Sequence, residues 1–223
     1  MTTEYDMVGE TGLKFFGRIS ASVSHEIKNV LAIINESAGL MEDLAELTQR
    51  GTPVDPERMK SLAQKVKHQI KRADGIINNM NRFAHSADEA LQDIDLRDMV
   101  RLVLALCERL ATMRGVTLAT EGNGNPLVIR TNPFLLQNLI WLCLDFAIQA
   151  VDEAKTLVLM AEATEKGAQL SIGGIRASND ASEDALLGAP EKALLGALKA
   201  ELSVDIVGRQ IVMMLPRDRG PLR

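Results

Sequence analysis

Two apolar stripes decide what the N-terminal part of this chain can become. Phe16, Ile19, Val23, Ile27, Val30, Ile34, Ala38, Met41 and Leu44 follow one another at alternating steps of three and four residues. Residues so spaced share one side of an α-helix, so this is one continuous helical face. The helix predicted from it starts near Val8 and runs to Arg50, where Gly51-Thr52-Pro53 stops it. A second stripe holds Met59, Leu62, Val66, Ile70, Ala73, Ile77, Met80 and Phe83. It opens at Asp55-Pro56-Glu57, with Asp55 as N-cap and Pro56 in the first helical position, where a missing N–H forfeits nothing. Long helices joined by so short a loop lie antiparallel. A lone hairpin leaves much of both stripes wet. Two hairpins are therefore expected to pair into a four-helix bundle, and residues 1–92 read as a homodimerisation module.

From Ile94 the pattern changes. Ile94-Asp95-Leu96 reads as a strand, Arg97 to Met113 as a helix ended by Gly115, and Val116 to Thr120 and Leu127 to Arg130 as strands about the loop Glu121–Pro126. Pro133 opens a helix to about Asp152. Thr156 to Ala163 and Gln169 to Ile175 pair as strands across Glu165-Lys166-Gly167, before a helix at about Glu191 to Glu201 and strands near Ser203 to Val207 and Gln210 to Leu215. Helices and strands mixed in this order predict an α+β fold, with residues 93–223 forming a second domain whose helices pack on one face of a mixed sheet.

Composition narrows the function classes. The chain has 223 residues, enough for one large domain or two modest ones, and its 46% hydrophobic but only 3% aromatic content calls for an aliphatic core. A net charge of −5 argues against a general nucleic-acid binder. Cys107 and Cys143 sit in apolar surroundings and read as buried, reduced thiols of a cytoplasmic protein. Met1 to Glu10 lacks the pattern of a signal peptide, and the longest apolar run, Leu139 to Ala150, is interrupted by Asp145 and too short to span a bilayer. No membrane association is expected.

Within the first helix, Ser24-His25-Glu26-Ile27-Lys28-Asn29 carries the chemistry. His25 is two residues from both Val23 and Ile27, roughly 200° around the helix from each, and so faces away from the apolar stripe. Asn29 lies one turn on, on the same face, and Glu26 is turned about 100° aside. An exposed imidazole with a carboxylate beside it and an amide one turn away suits a phosphoryl acceptor, although a solvated His on a polar face has the same pattern.

The word Ser-His-Glu-Ile-Lys-Asn resembles the H-box of the sensor histidine kinases, and Arg72 to Phe83 resembles their second hairpin helix. The resemblance implies that His25 accepts the phosphoryl group, that Glu26 orients the ring as its acid/base neighbour, and that Asn29 positions a water or the phosphoryl group. Val30 stands where that family has Pro, which leaves the helix without a bend just past the His. The element order after Ile94 is similar to the family's ATP-binding domain, and the resemblance implies a two-layer α/β sandwich for residues 93–223. There the words fail: Leu142 and Phe146 stand where the family's metal-holding Asn residues are expected, and Ile172-Gly173-Gly174-Ile175-Arg176 has no Asp before its glycines. The Gly-rich lid is reduced to Leu194–Leu198. Such a degenerate domain implies no bound ATP and no metal or cofactor of the chain's own.

The expected function is therefore histidine phosphotransfer. His25 takes a phosphoryl group from a response-regulator aspartate and passes it to another, the regulator bringing its own Mg²⁺. Lys28, Lys67 and Lys71 are expected to dock the acidic receiver surface. Two alternatives stand beside it: a regulator phosphatase acting through Asn29, and a non-enzymatic dimeric scaffold for a regulator or kinase. Of the other histidines, His68 also faces outward but is flanked by Lys67 and Gln69, and His85 is expected in an interhelical or capping role.

Overall fold

The computed structural model describes residues 4–122, 124–177 and 186–218. The chain is α+β and divides into two compact units, Ser20–Asn81 and a second composed of Met1–Ile19 with Arg82–Arg223.

The unit Ser20–Asn81 is a helical hairpin cut from α1 (Glu4–Gln49) and α2 (Pro56–His85). Gly51, at φ +82°, ends α1: the Thr52 N–H reaches the Leu47 carbonyl at 3.0 Å and the Gly51 N–H reaches Thr48 at 3.0 Å. This is the paired closure that satisfies a helix's last carbonyls. Asp55 Oδ1 then accepts the Glu57 N–H at 3.0 Å and Pro56 opens α2, as its sequence requires. An ion pair between Lys65 Nζ and Glu36 Oε2, 3.9 Å apart, marks the antiparallel register.

The hairpin buries only a narrow seam: Ser22, Val30, Ser37 and Leu44 from α1 and Gln69 from α2. The Ser37 hydroxyl turns back on the Ile33 carbonyl at 2.8 Å, so this residue costs no orphaned donor. Of the expected stripes, Ile70 and Ile77 remain 47% and 49% exposed and Ala38 is exposed. One partner helix covers one side of a stripe about 100° wide, and the rest stays open.

The other unit is layered. Its elements are β1 (Gln92–Asp95), α3 (Leu96–Met113), β2 (Thr117–Glu121), β3 (Val128–Thr131), α4 (Pro133–Gln149), β4 (Thr156–Thr164), β5 (Gly167–Gly173), α5 (Ala189–Leu198), β6 (Glu201–Asp205) and β7 (Gln210–Pro216). β1 pairs antiparallel with β3, and the main sheet has the order β2-β4-β5-β7-β6 with only β2 and β4 parallel. Alternate residues, Leu157, Leu159 and Ala161 on β4 and Ile211, Met213 and Leu215 on β7, are buried, while their neighbours are half covered or exposed. That period of two gives the sheet one core face. α3 and α4 pack on it and on each other, and α5 packs on α4.

Several boundaries differ from the sequence expectation. α4 stops at Gln149, because the Ala150 N–H still caps Phe146 whereas the Asp152 N–H goes to Gly174. Pro190 starts α5 two residues early, and Lys199 at φ +52° ends it before Glu201. β6 therefore begins at Glu201, which leaves Ile206 and Val207 in the turn to β7. Gly167 belongs to β5, not to the preceding turn; a Cβ there would strike the Leu215 carbonyl of β7. Of the loop Glu121–Pro126, Asn123 lies outside the described residues.

The scarce aromatics are gathered in this unit. Phe15 is fully buried, with ring centroids 5.1 Å from Phe83, 5.8 Å from Phe134 and 5.4 Å from Trp141. Phe16, the residue assigned to the stripe, is 39% exposed and stacks on Phe83 at 5.4 Å. The first turns of α1 thus turn Phe15 inward, to a core supplied by α4. Gly12 permits the approach, since a Cβ there would lie 3.0 Å from the Phe134 ring. Arg18 lies 5.3 Å above the Trp141 ring, and Asp145 accepts from Arg114 at 2.9 Å with Arg18 at 3.8 Å. Among the described residues no helix is long and apolar enough to cross a membrane.

Candidate functional site

α1 runs unbroken through the Ser24–Asn29 word, with Val30 fully buried behind it. Val30 keeps the backbone N–H that a Pro would lack, so the ladder of helix hydrogen bonds need not break there. Burying Val30 turns the opposite face out. Ser24, His25, Lys28 and Asn29 are exposed, and Glu26 and Ile27 are half-buried. The structure therefore places His25 and Asn29 on one open helix face a turn apart, where Cβ atoms stand about 5–6 Å from each other. Glu26 flanks them at the edge of the covered seam.

Of the docking lysines, Lys67 and Lys71 are exposed on α2. The Lys65–Glu36 pair sets their height. Six residues on from Lys65 is Lys71, and six back from Glu36 is Val30, since both helices rise by about 1.5 Å per residue. Lys71 thus stands level with the Asn29–Val30 turn. Lys67 lies about 6 Å further from it along the axis. His68 is exposed, as expected. His85 is not interhelical: it is the last residue of α2 and faces outward, with Nδ1 2.8 Å from Asp88 Oδ2 just beyond the helix.

In the second unit, Leu142 and Phe146 are both half-buried on α4, and Leu194 and Leu198 are fully buried positions of α5. The stretch Gly173–Arg176 is tied down on several sides. Ile175 is fully buried and bridges Val151, the Arg176 N–H reaches the Ala150 carbonyl at 2.7 Å, and the Arg209 carbonyl accepts from both Gly174 and Ile175 at 3.2 Å. Arg209 also pairs with Asp152 at 3.1 Å. Among the described residues, no group of His, Cys, Asp and Glu is arranged to hold a metal ion.

The two thiols are equally closed. Burial, and then the carboxylates of Asp145 and Glu191 respectively, push Cys107 and Cys143 up to about 12. Both are buried, unpaired and unreactive as nucleophiles at neutral pH.

Two features carried no motif in the sequence. One is the Arg18–Asp145–Arg114 group, whose partners are far apart in the chain. The other is a cavity of about 490 Å³ beside the end of α2, whose lining includes Gln137. Its only sequence signal is the amide pair Gln137-Asn138 inside an otherwise apolar helix.

No protein-family model matches the sequence, and no curated protein matches it. Among solved structures, the chain is similar to the catalytic domain of histidine kinase ThkA in a nucleotide-free form, at 12% identity and a TM-score of 0.49, covering 58% of this chain and 99% of that one. It is similar to ThkA in complex with the response regulator protein TrrA, at 16% identity and a TM-score of 0.48, over 93% of this chain and 63% of that one. It is also similar to the Acinetobacter baumannii histidine kinase AdeS, at 15% identity and a TM-score of 0.45, over 86% and 98% of the two chains. Likeness at this level assigns no residue a role.

Proposed function

We propose that the chain is a two-component phosphorelay protein, a histidine phosphotransferase that works without ATP. The observation that carries this reading is the open face of α1, where His25 and Asn29 are both exposed one turn apart with Glu26 beside them. A neutral imidazole nitrogen of His25 attacks the phosphorus of a regulator's aspartyl phosphate. The N–P bond forms as the O–P bond to the aspartate breaks, and the carboxylate returns to the regulator. Glu26 stabilises the charge that develops on the ring, and the regulator's own Mg²⁺ neutralises the phosphoryl oxygens. Catalysis of this kind is positioning and charge neutralisation. Lys28 and Lys71 flank the acceptor face, and Lys67 extends the basic track along α2, which suits an acidic receiver surface.

The absence of an ATP step in this reading is supported by Leu142 and Phe146, which offer Mg²⁺ no oxygen, and by the hydrogen bonds that tie the Gly173–Arg176 turn to Ala150, Val151 and Arg209. Dimerisation is supported by Leu31, Leu40, Leu47, Ile70 and Ile77, which leave the hairpin with an apolar surface open to water. A second copy of the same hairpin is the partner proposed for it.

The test is label transfer from a panel of phosphorylated receiver domains to the purified chain. His25→Gln is expected to abolish acceptance and His68→Gln to preserve it. The exposure of Asn29 favours one second reading, a phosphatase that orients water. If regulator phosphate still drains with His25→Gln and stops draining with Asn29→Ala, that reading replaces the first.

A further inference from the structure

The cavity beside the end of α2 lies wholly within the α/β unit, and nothing in the phosphotransfer reading uses it. Its volume of about 490 Å³ is within the range of small-molecule sites. Met99, Leu102 and Pro133 give it an apolar floor. Gln137 also lines it and is fully buried, yet neither Nε2 nor Oε1 has a partner. A buried amide left so is disfavoured, and buried polar groups are normally paired. The unmet groups of Gln137 are one donor and one acceptor.

The rim repeats that duality in charge. Arg82 and Glu89 line the cavity, and neither is engaged in any ion pair or hydrogen bond found among the described residues. The other carboxylates of the lining are occupied. Asp88 holds His85 at 2.8 Å, Asp98 holds Arg101 at 2.6 Å, and Asp95 accepts the N–H groups of Arg97 and Leu127 at 3.0 Å each. What remains without a protein partner is an exposed guanidinium, an exposed carboxylate and one buried amide around an apolar floor.

We propose that this cavity binds a small zwitterion of the α-amino-acid class. Its carboxylate is held by Arg82 and the Gln137 amide N–H, its ammonium by Glu89 and the Gln137 carbonyl, and a short apolar side chain rests on Met99 and Leu102. Because Arg82 is three residues from the end of α2, the ligand would bind on the continuation of the phosphotransfer hairpin's own helix.

The experiment is calorimetric and thermal-shift titration of the full chain with each proteinogenic L-amino acid, with a simple diamine and a simple carboxylate as controls. One class of amino acid is expected to bind and to raise the melting temperature. Arg82→Gln and Glu89→Gln, both surface changes, should each weaken that binding at least tenfold without lowering the melting temperature of the free chain. Gln137→Leu should abolish binding and, by removing the unpaired amide, leave the free chain at least as stable. Three outcomes would overturn the proposal: no amino acid binds, the diamine or carboxylate binds as well, or binding survives both charge changes. None of them bears on label transfer to His25, so the phosphotransfer reading stands or falls separately.

Discussion

The hairpin and the α/β unit solve the burial problem in opposite ways. The α/β unit closes its core: alternate residues of β4, β5 and β7 are covered by α3 and α4, and Phe15, Phe83 and Trp141 fill the remaining gap. The hairpin closes almost nothing. Its seam is Ser22, Val30, Ser37, Leu44 and Gln69, while Leu31, Ile70 and Ile77 stay open. An element that buries serines and exposes isoleucines has apolar surface left over. The first region stores stability, and the second offers surface.

The sharpest way to break that contrast is Ile70→Asp. In an isolated hairpin the site is half exposed, so the change is nearly neutral; in a paired bundle it buries an uncompensated charge, which costs about 3–5 kcal/mol. Sedimentation should show a native dimer and a folded, monomeric Ile70→Asp variant. A monomeric native protein at micromolar concentration would remove the four-helix bundle from the account. Phe83→Ala tests the other side. It empties an aromatic site at full burial and is expected to cost about 3–5 kcal/mol in urea unfolding.

A smaller effect is expected at Asp145→Asn. It removes the shared partner of Arg18 and Arg114, but the pair is partly exposed, so about 1 kcal/mol or less is expected, shrinking with salt. The smallest effect at neutral pH concerns the thiols. Folding raises the pKa of Cys107 and Cys143 from 9.0 to about 12, so the fold favours the neutral thiol. Their contribution is complete below pH 9 and is lost as pH rises from there towards 12. A thiol reagent should leave both untouched in the native chain at pH about 8 and label both in urea. Fast native labelling would mean that the α/β core is looser than its burial indicates.

Much of the architecture was legible because it rests on local chemistry. The Gly51 stop, the Asp55-Pro56 start and the Pro133 start each act within one turn of helix, and each occurs where the residues require it. The outward face of His25 followed from the distance to Val23 and Ile27 alone. Phe15 and Phe16 show the limit. Either fits a helical period, and the choice was made by Phe134 and Trp141, residues more than a hundred positions away that periodicity cannot see. Lys199 is a similar case: nothing in its side chain announces a left-handed backbone, yet it fixed the ends of both α5 and β6. The cavity around Gln137 was illegible for the same reason, since its lining comes from α2, β1, α3, α4 and the turn between α2 and β1.

The α/β unit is not one stretch of chain, since Ser20–Asn81 separates Met1–Ile19 from the rest. In synthesis the segment that carries Phe15 emerges first, yet its partners Phe83, Phe134 and Trp141 follow far behind it. Until they follow, that segment has no core to pack on. Its docking must repay the entropy of closing so large a loop, and a preformed hairpin, by bringing residues 15 and 83 near one another, shortens the loop that remains to be closed. Folding of the sheet-bearing unit is therefore coupled in time to an element that contributes little to its final core. A circular permutant that begins at Arg82 and places Met1–Ile19 after Arg223 would uncouple the two. Its refolding rate, set against that of the natural order, measures how much the hairpin works as a chaperone within its own chain.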